Sequence, residues 1–255
     1  MGIASYALVS GDQALVYDTH VSTAHAAFVR ATLEAEGARR IIVVLSHCHL
    51  DHVAGTEVFA DCEVIACART LDHLTRDKAA IEAGTLSGLP VIAPLIVPTR
   101  VFEGAMVLTV GDLEVQLIEA NIHSDDATVL WLPERGLLFA GDTVEDTITY
   151  VGDPHSFATH LADIARLSAL NPRWILPDHG APEVIAAGGY GASLLPATAA
   201  YIGWLMRLGA EPDLAAQPLA EVIAAQLAEG SVTWFAPYEA IHRQNIERTL
   251  AASRG

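Results

Sequence analysis

The chain has 255 residues, of which 52% are hydrophobic, so it can bury a substantial core in one large domain or two modest ones. Its 31 acidic residues outnumber its 14 basic residues, and the formal net charge of −17 argues against a polyanionic partner such as nucleic acid. No apolar stretch reaches the roughly 20 residues of a membrane span, the first residues lack a signal-peptide pattern, and three cysteines are too few for a disulfide framework. We therefore expect a cytoplasmic protein that binds neither nucleic acid nor a membrane.

The first third of the chain alternates strand and helix patterns. Two apolar-rich segments flank Gly11-Asp12 and predict a β-hairpin, and Ser22 opens a pattern of helical spacing that ends at Gly37. The β-branched run at residues 41–45 predicts a strand that is buried on both faces. The predicted strands are residues 5–10, 13–18, 41–45 and 63–66, and the predicted helices are residues 22–37, 53–59 and 69–83.

The remaining chain repeats this pattern and then becomes helical. Residues 84–100 are rich in glycine and proline and predict a long surface loop. Further strands are predicted at residues 106–110, 113–119, 128–132, 137–140 and 173–177, and further helices at residues 156–170, 190–208, 212–228 and 238–253. Two halves that each hold strands and helices predict an α/β (α+β) fold with two sheets packed face to face. We expect one domain over residues 1–185 and, packed on it, a helical C-terminal extension over residues 186–255.

A dense group of metal-type side chains follows the buried strand at residues 41–45. Residues 46–52 read Ser-His-Cys-His-Leu-Asp-His and place His47, His49, Asp51 and His52 within six positions. The carboxyl end of a buried strand is the usual place for ligands in layered α/β folds. Imidazole and carboxylate ligands suit zinc and are acceptable to iron or manganese. The segment therefore predicts a metal site.

Three more metal-type residues also follow predicted strands. His123, Asp142 and His179 come after the strands at residues 113–119, 137–140 and 173–177. If four strand ends meet at one rim, they bring seven ligands together. Seven ligands are too many for one tetrahedral ion and suit two ions that share a carboxylate and a water.

The motif H-x-H-x-D-H, followed in order by the later His, Asp and His, resembles the metallo-β-lactamase superfamily of hydrolases. The similarity extends from about residue 5 to residue 180. It implies an αββα sandwich with a dinuclear site along one edge of the two sheets. It also implies two ligand sets, joined by Asp142 as the bridge: His47, His49 and His123 for one ion, and Asp51, His52 and His179 for the other.

The residue at the bridging position distinguishes branches of that superfamily. Its true β-lactamases usually carry Cys or Ser there, so Asp142 makes the chain more similar to the glyoxalase II and lactonase-like branches. Homoserine-lactone lactonases usually carry a tyrosine a few residues after that aspartate, whereas the first tyrosine here is Tyr150. Glutathione-thioester hydrolases use a basic C-terminal patch, and this C-terminal region has no basic cluster.

The resemblance implies a dinuclear hydrolase that holds two Zn²⁺ per chain, with iron or manganese as other metals that the ligands accept. A bridging hydroxide is expected to attack an ester-like bond of a small-molecule substrate, preferably a lactone or a thioester. Asp51 is the expected catalytic proton handler. Asp125, Asp126 and Asp178 are candidates for hydrogen bonds that orient the histidine ligands.

Several alternatives stay open at this point. The same site could hydrolyse a phosphoester or a β-lactam, and relatives with one iron oxidise sulfur compounds as dioxygenases. A metal-free binding module is disfavoured because no ligand of the motif is missing. A homodimer is also left open. The loops at residues 84–100 and 143–155 and the C-terminal helices are expected to decide which substrate binds.

Overall fold

The computed structural model describes residues 1–86 and 91–253, and its strands form two sheets in a mixed α/β chain. The strands are β1 (Tyr6–Ser10), β2 (Gln13–Tyr17), β3 (Arg40–Val44), β4 (Glu63–Cys67), β5 (Arg100–Phe102), β6 (Ala105–Val110), β7 (Leu113–Ala120), β8 (Ala127–Leu132), β9 (Leu137–Gly141) and β10 (Trp174–Pro177). All four strands whose ends carry the predicted ligands are therefore present.

Helices lie between β2 and β3, between β3 and β4, after β4, between β9 and β10, and over most of the last 70 residues. They are α1 (Thr23–Ala35), α2 (Leu50–Val53), α3 (Ala68–Glu82), α4 (Phe157–Ala169), α5 (Pro182–Ala186), α6 (Leu194–Arg207), α7 (Leu219–Val222), α8 (Ala224–Glu229) and α9 (Tyr238–Ala252). Single 3-10 turns lie at Thr56–Phe59, Pro154–Ser156 and Pro212–Ala216. Within the described ranges, no helix combines the length and the hydrophobicity that a membrane crossing requires.

Contacts between residues divide the chain into two compact units. The N-terminal unit comprises Ile3–Glu119 and Asp126–Glu134. The C-terminal unit comprises Met1–Gly2, Ala120–Asp125 and Arg135–Gly255. The boundary at residue 185 stays a prediction.

The N-terminal unit is built on the sheet β1-β2-β3-β4-β5. β1 and β2 form the predicted antiparallel hairpin, and β3, β4 and β5 then follow in parallel. β4 packs on β8, while β1 and β2 pack on β6, so this unit contains the face-to-face sheet packing that the sequence predicts. The Tyr17 hydroxyl donates to the Thr128 carbonyl at 2.6 Å and joins the two layers in the core.

The buried strand β3 fixes the direction in which the histidine motif leaves the sheet. Val43, Val44 and Leu45 have no exposed surface, because β3 lies between β2 and β4 and its faces are covered. Burial of a Val or Leu side chain contributes about 1.5–3 kcal/mol, so this strand is strongly held. The metal-type residues begin two positions after Leu45, on a well-anchored strand end.

The C-terminal unit holds the parallel pair β9 and β10 together with the later helices. α4 packs on α6, and α6 packs on α9. Asn245 of α9 accepts from the Val151 amide at 2.9 Å and donates to the Thr149 carbonyl at 3.0 Å. The last helix therefore holds the loop that follows Asp142.

Three predictions of secondary structure need correction. The helix expected at residues 53–59 begins earlier, as α2 at Leu50, and is followed by a 3-10 turn. The single helix expected at residues 212–228 is broken into a 3-10 turn, α7 and α8. Pro218 cannot continue a helix and separates the turn from α7, and Ile223, which is not helical at φ −105° and ψ 17°, separates α7 from α8. The sequence also did not predict α5. In the loop at residues 84–100, residues 87–90 lie outside the described part of the chain.

His160 of α4 gives the C-terminal unit a predictable dependence on pH. Its side chain is 1% exposed, and burial lowers its pKa from 6.5 to about 4. Above pH 6.5 the imidazole is neutral in both the folded and the unfolded chain. Below pH 6.5 the unfolded chain takes up a proton that the folded chain does not, so stability is lost as pH falls toward 4. We expect a loss of roughly 1–2 kcal/mol from this residue between pH 7 and pH 5.

The measurement is the free energy of unfolding of metal-free protein from urea titrations at pH 5, 6 and 7. His160→Gln should show a smaller loss of stability over this range than the unaltered chain. His155→Gln is the matched control, because the His155 side chain is exposed. The substitution keeps the hydrogen bond at 3.0 Å from the His155 backbone amide to Asp153, so this variant should show the same dependence on pH as the unaltered chain. Equal pH slopes for the His160 variant and the unaltered chain would contradict the prediction.

Candidate metal centre

The N-terminal unit carries four of the seven predicted ligands in the turn after β3. The imidazole ring of His47 has its centroid 4.5 Å from that of His49 and 4.3 Å from that of His52. His52 and Asp51 lie on the short helix α2, where His52 Nε2 is 3.8 Å from Asp51 Oδ2. His47 and His52 are buried, whereas His49 and Asp51 are half-buried. The motif is thus a compact group in which a helical turn brings its last two members back toward His47.

Asp18, at the end of β2, orients two of these histidines and was not predicted from the sequence. Its carboxylate accepts from the Ser46 amide at 2.6 Å and from the Ser46 hydroxyl, and it lies 2.8 Å from His52 Nδ1. The Ser46 hydroxyl is also 2.9 Å from His47 Nδ1. Asp18 is fully buried and has a φ of 63°, an unusual backbone conformation for a residue other than glycine. A strained, buried aspartate beside a ligand group indicates a functional constraint.

Asp18 is better explained as a partner of ligands than as a ligand. Asp18, His47 and His52 each offer an atom within 4.8 Å of the others, so they could in principle hold an ion. Both oxygens of Asp18, however, already accept from Ser46 or face His52 Nδ1. A carboxylate in this position fixes the ring orientation of a metal-binding histidine and increases its basicity.

The C-terminal unit brings the other three predicted ligands together, with two histidines beside the carboxylate of Asp142. His123 Nε2 lies 3.6 Å from Asp142 Oδ2, and His179 Nε2 lies 3.5 Å from the same oxygen. Asp142 follows β9 through Gly141, whose φ of 56° favours glycine, and His179 follows the parallel strand β10. Parallel strands end at the same edge, which is why these two loops meet. The two histidines that the resemblance assigns to different ions therefore approach the same aspartate oxygen.

Glu145 is a second buried carboxylate that the sequence analysis did not assign to the site. Its Oε1 lies 3.3 Å from His123 Nδ1, and it accepts from the Tyr238 hydroxyl at 2.9 Å and the Tyr150 amide at 3.0 Å. Burial and the neighbouring Glu145 carboxylate raise the pKa of Tyr238, so its hydroxyl stays protonated and donates. Glu145 is thus a fixed partner behind His123, supported by α9.

At four of the histidines, Nδ1 of the ring faces an oxygen atom of the protein. This arrangement tests whether the residues fit a metal. The Nδ1 atoms of His47, His52, His123 and His179 face Ser46, Asp18, Glu145 and the Gly2 carbonyl, respectively. In each ring Nε2 is therefore the atom that would bind a metal, as in most metal-binding histidines.

The spacing of the ligand atoms agrees with this orientation. A tetrahedral ion with bonds of about 2.0–2.1 Å holds neighbouring ligand atoms roughly 3.3 Å apart. The 3.5 and 3.6 Å separations around Asp142 Oδ2 are close to that value and too long for hydrogen bonds. Ligand type, orientation and spacing all fit a divalent metal.

The aspartates predicted to orient the histidines are placed differently from Asp18 and Glu145. Asp125 is exposed, whereas Asp126 and Asp178 are buried. The backbone of Asp126 accepts from the Thr70 hydroxyl at 3.1 Å, and the amide of Asp178 donates to the Gly141 carbonyl at 2.9 Å. Their predicted role in orienting ligands stays a prediction. Cys48 packs against the hydrophobic core of the N-terminal unit.

Replacement of Asp18 by asparagine should weaken metal binding without removing a ligand. The amide keeps the size of the side chain but offers one acceptor oxygen where two are used. We expect an increase of about 10- to 100-fold in the zinc dissociation constant, the usual effect of losing such a partner. Competition with a chromophoric chelator measures this constant. Asp61→Asn, which alters an exposed carboxylate paired with Arg30, is the control, and equal zinc affinities for the two variants would contradict the role of Asp18.

Comparison with known proteins gives a consistent family match. The family model of the metallo-beta-lactamase superfamily matches residues 1–179. A beta-lactamase-like protein 2 homolog of Caenorhabditis elegans is 25% identical over 182 residues, which are 70% of this chain and 56% of that protein. The avaE protein of Aspergillus versicolor, whose name assigns it provisionally to the transcription factors, is 28% identical over 176 residues, or 65% of this chain and 51% of that protein. The chain thus spans about half the length of these relatives.

Solved structures share the fold. The metallo-beta-lactamase from Pontibacter korlensis is 17% identical, with a TM-score of 0.56, over 74% of this chain and 85% of that one. The DIM-1 metallo-beta-lactamase exposed to ceftazidime is 20% identical, with a TM-score of 0.56, over 69% of this chain and 77% of that one. At these identities the likeness concerns the fold alone.

Proposed function

The chain belongs to the metallo-β-lactamase superfamily, and we propose that it is a dinuclear metal-dependent hydrolase of small ester-like substrates. His47, His49, Asp51, His52, His123, Asp142 and His179 would hold two divalent ions, with zinc as the metal that the ligand types favour. The observation that carries the proposal is the position of Asp142, whose Oδ2 lies 3.6 and 3.5 Å from Nε2 of His123 and His179. Bound divalent ions would supply a water of lowered pKa and would polarise a carbonyl oxygen.

The chain's own residues would orient this chemistry and handle protons. Asp18 lies 2.8 Å from His52 Nδ1, and Glu145 lies 3.3 Å from His123 Nδ1, so these carboxylates would keep the two rings in a fixed direction. Asp51 is half-buried and next to His52, and a carboxylate in such a place can accept the proton of the attacking water and return it to the leaving group.

The proposed substrate is a lactone or a thioester. The retained Asp142 supports this choice, because the antibiotic-degrading branches of the superfamily usually carry another residue there. The loops beside the candidate ligands add a smaller argument, against a polyphosphate substrate. Glu145 and Asp146 are buried and hydrogen-bonded, so only Asp125 and Asp153 remain as exposed charges that would repel a polyphosphate.

A competitive substrate panel at matched metal loading tests the proposal. The value of kcat/KM is measured for a lactone, a thioester, a phosphotriester, a penicillin and a cephalosporin. The proposal predicts that the lactone or the thioester leads. A much higher kcat/KM for a β-lactam than for the other compounds would overturn the proposed substrate class. Oxygen consumption by an iron-loaded protein in the presence of a thiol persulfide would overturn the proposal that the protein is a hydrolase.

A further inference from the structure

Tyr150 stands beside the candidate metal ligand His123 in the C-terminal unit. The centroids of the two rings are 5.5 Å apart, and the Tyr150 amide donates to Glu145 at 3.0 Å, the same carboxylate that faces His123 Nδ1. Glu145 therefore contacts both residues, the backbone of Tyr150 and the ring of His123. Tyr150 is half-buried, and its hydroxyl makes no hydrogen bond to any residue in the described parts of the chain. The Tyr150 hydroxyl therefore lies beside a candidate ligand, and no hydrogen bond within the described residues gives it a structural role.

Arg248 of α9 covers the Tyr150 ring. Its guanidinium carbon lies 5.0 Å from the ring centroid, and one of its nitrogens donates to the Gly152 carbonyl at 3.4 Å. A guanidinium over a tyrosine ring is a favourable cation–π contact, and it limits the directions in which the remaining N–H groups can point. Gly152 itself is tied to the His123 carbonyl through its amide at 3.2 Å. The arginine is therefore anchored near the same candidate ligand.

Arg248 differs from other arginines of the C-terminal unit in the groups that it contacts. Among residues 1–86 and 91–253 it makes no ion pair, although the sequence contains 31 acidic and only 14 basic residues. Arg207 and Arg243, on helices of the same unit, pair with Glu211 and Glu239 at 2.8 and 2.9 Å. An arginine that is held by a ring and a carbonyl, in a chain with so many carboxylates, retains its capacity to bind an external anion.

Resting on the proposed function, we propose that Arg248 and the Tyr150 hydroxyl bind a carboxylate group of the substrate, so that the preferred substrates are ester-like compounds that carry a carboxylate. A planar guanidinium matches a carboxylate in two parallel hydrogen bonds, and the hydroxyl can add a third. One cation in a strongly acidic protein suits a singly charged carboxylate better than a doubly charged phosphate. Asn245, one turn before Arg248, ties α9 to the loop of Tyr150 and holds the pair in place.

Two esters that differ only in the terminal group test this inference in the zinc-loaded protein. They are 4-nitrophenyl valerate, which ends in a methyl group, and mono-4-nitrophenyl glutarate, which ends in a carboxylate. The unaltered protein should prefer the glutarate ester after correction for its spontaneous hydrolysis. Arg248→Gln should lower kcat/KM for the glutarate ester by about 10- to 100-fold, chiefly through KM, and change the valerate ester by less than about twofold. Tyr150→Phe should act in the same direction by about three- to tenfold.

A matched control and a binding measurement complete the experiment. Arg207→Gln removes the same charge from an exposed ion pair and should leave both esters unchanged. Calorimetric titration with valerate and with valeramide should give tighter binding of the carboxylate, and Arg248→Gln should remove that difference. Equal effects of Arg248→Gln on both esters, or valerate binding that is unchanged in this variant, would overturn the inference.

The two proposals fail in distinguishable ways. If the protein hydrolyses the valerate ester but has no preference for the glutarate ester, only the carboxylate site is wrong. If it hydrolyses neither ester, nor any compound in the panel, the proposal that the protein is a hydrolase is wrong. The valerate titration alone then decides whether Arg248 and Tyr150 bind a carboxylate.

Discussion

Replacement of Asp142 by alanine is expected to lower hydrolytic activity by several orders of magnitude and to release at least one metal ion per chain. The carboxylate is buried, and its Oδ2 is the atom that both His123 and His179 approach. Alanine removes the only negative charge between these two imidazoles in the C-terminal unit's ligand group. A metal that activates water requires its ligands in place, so loss of a shared ligand affects both the ion and the reaction.

The control for this variant is Asp77→Ala. Asp77 is a surface carboxylate whose partner is the neighbouring Arg76, so its loss should change neither metal content nor kcat/KM. Metal is measured by elemental analysis and folding by circular dichroism, so that loss of activity through unfolding is recognised. Normal turnover together with normal metal content in the Asp142 variant would remove Asp142 from the site.

Replacement of Asp146 by alanine is expected to lower the free energy of unfolding by about 3–5 kcal/mol, the largest effect on stability among the residues discussed. This fully buried carboxylate accepts from the amides of Thr147 and Thr233 at 2.6 Å each, and from the hydroxyls of Thr233 and Tyr190. Burial and the contact with Asp146 raise the pKa of Tyr190, so the phenol stays protonated and donates. Alanine would leave four donors in the interior without their acceptor.

Urea unfolding of the metal-free protein measures this effect apart from any change in metal affinity. Asp213→Ala in the same unit alters an exposed aspartate and should stay within about 0.5 kcal/mol of the unaltered chain. Tyr190→Phe removes one of the four donors together with its need for a partner and should cost less than Asp146→Ala. A loss below about 1 kcal/mol for Asp146→Ala would show that the carboxylate does not hold this part of the unit together.

The sequence predicts the scaffold of this protein well because the relevant signals are local. A short β-branched run such as residues 41–45 favours a buried strand, and Ser22 caps α1 as its position suggests, accepting from the His25 amide. Placement of the ligand residues after strands follows from the same local patterns. The candidate ligands in each unit therefore could be named before their geometry was known.

The partners of those ligands could not be predicted, because each lies far along the chain from the group that it orients. Asp18 reaches Ser46 and His52 across 28 and 34 positions, and the Tyr238 hydroxyl reaches Glu145 across 93. One signal was present for Asp18: it is the last residue of a predicted strand, and the ligands also lie at strand ends. Glu145 gave no such signal, since three acidic residues follow one another closely at residues 142–146. All three are buried, and only their contacts in the folded chain separate their roles.

Arg248 illustrates the same limit for substrate recognition. In the sequence it is one basic residue in a helix without a basic cluster, which suggested no anion site in the C-terminal region. Its contact with Tyr150 depends on how α9 lies against the loop after Asp142, a tertiary relation set by Asn245. Charge counting along a sequence detects clusters, whereas a single well-placed arginine becomes visible only in the folded chain.

Metal content is the most direct test of the central claim that this chain carries a dinuclear hydrolytic centre. The protein is purified without added metal, loaded with zinc, dialysed, and analysed for metals by mass spectrometry against an accurate protein concentration. The seven candidate ligands predict close to two divalent ions per chain, mainly zinc, and full loss of esterase activity when a chelator removes them. A fully active preparation that holds a single iron per chain would contradict the account.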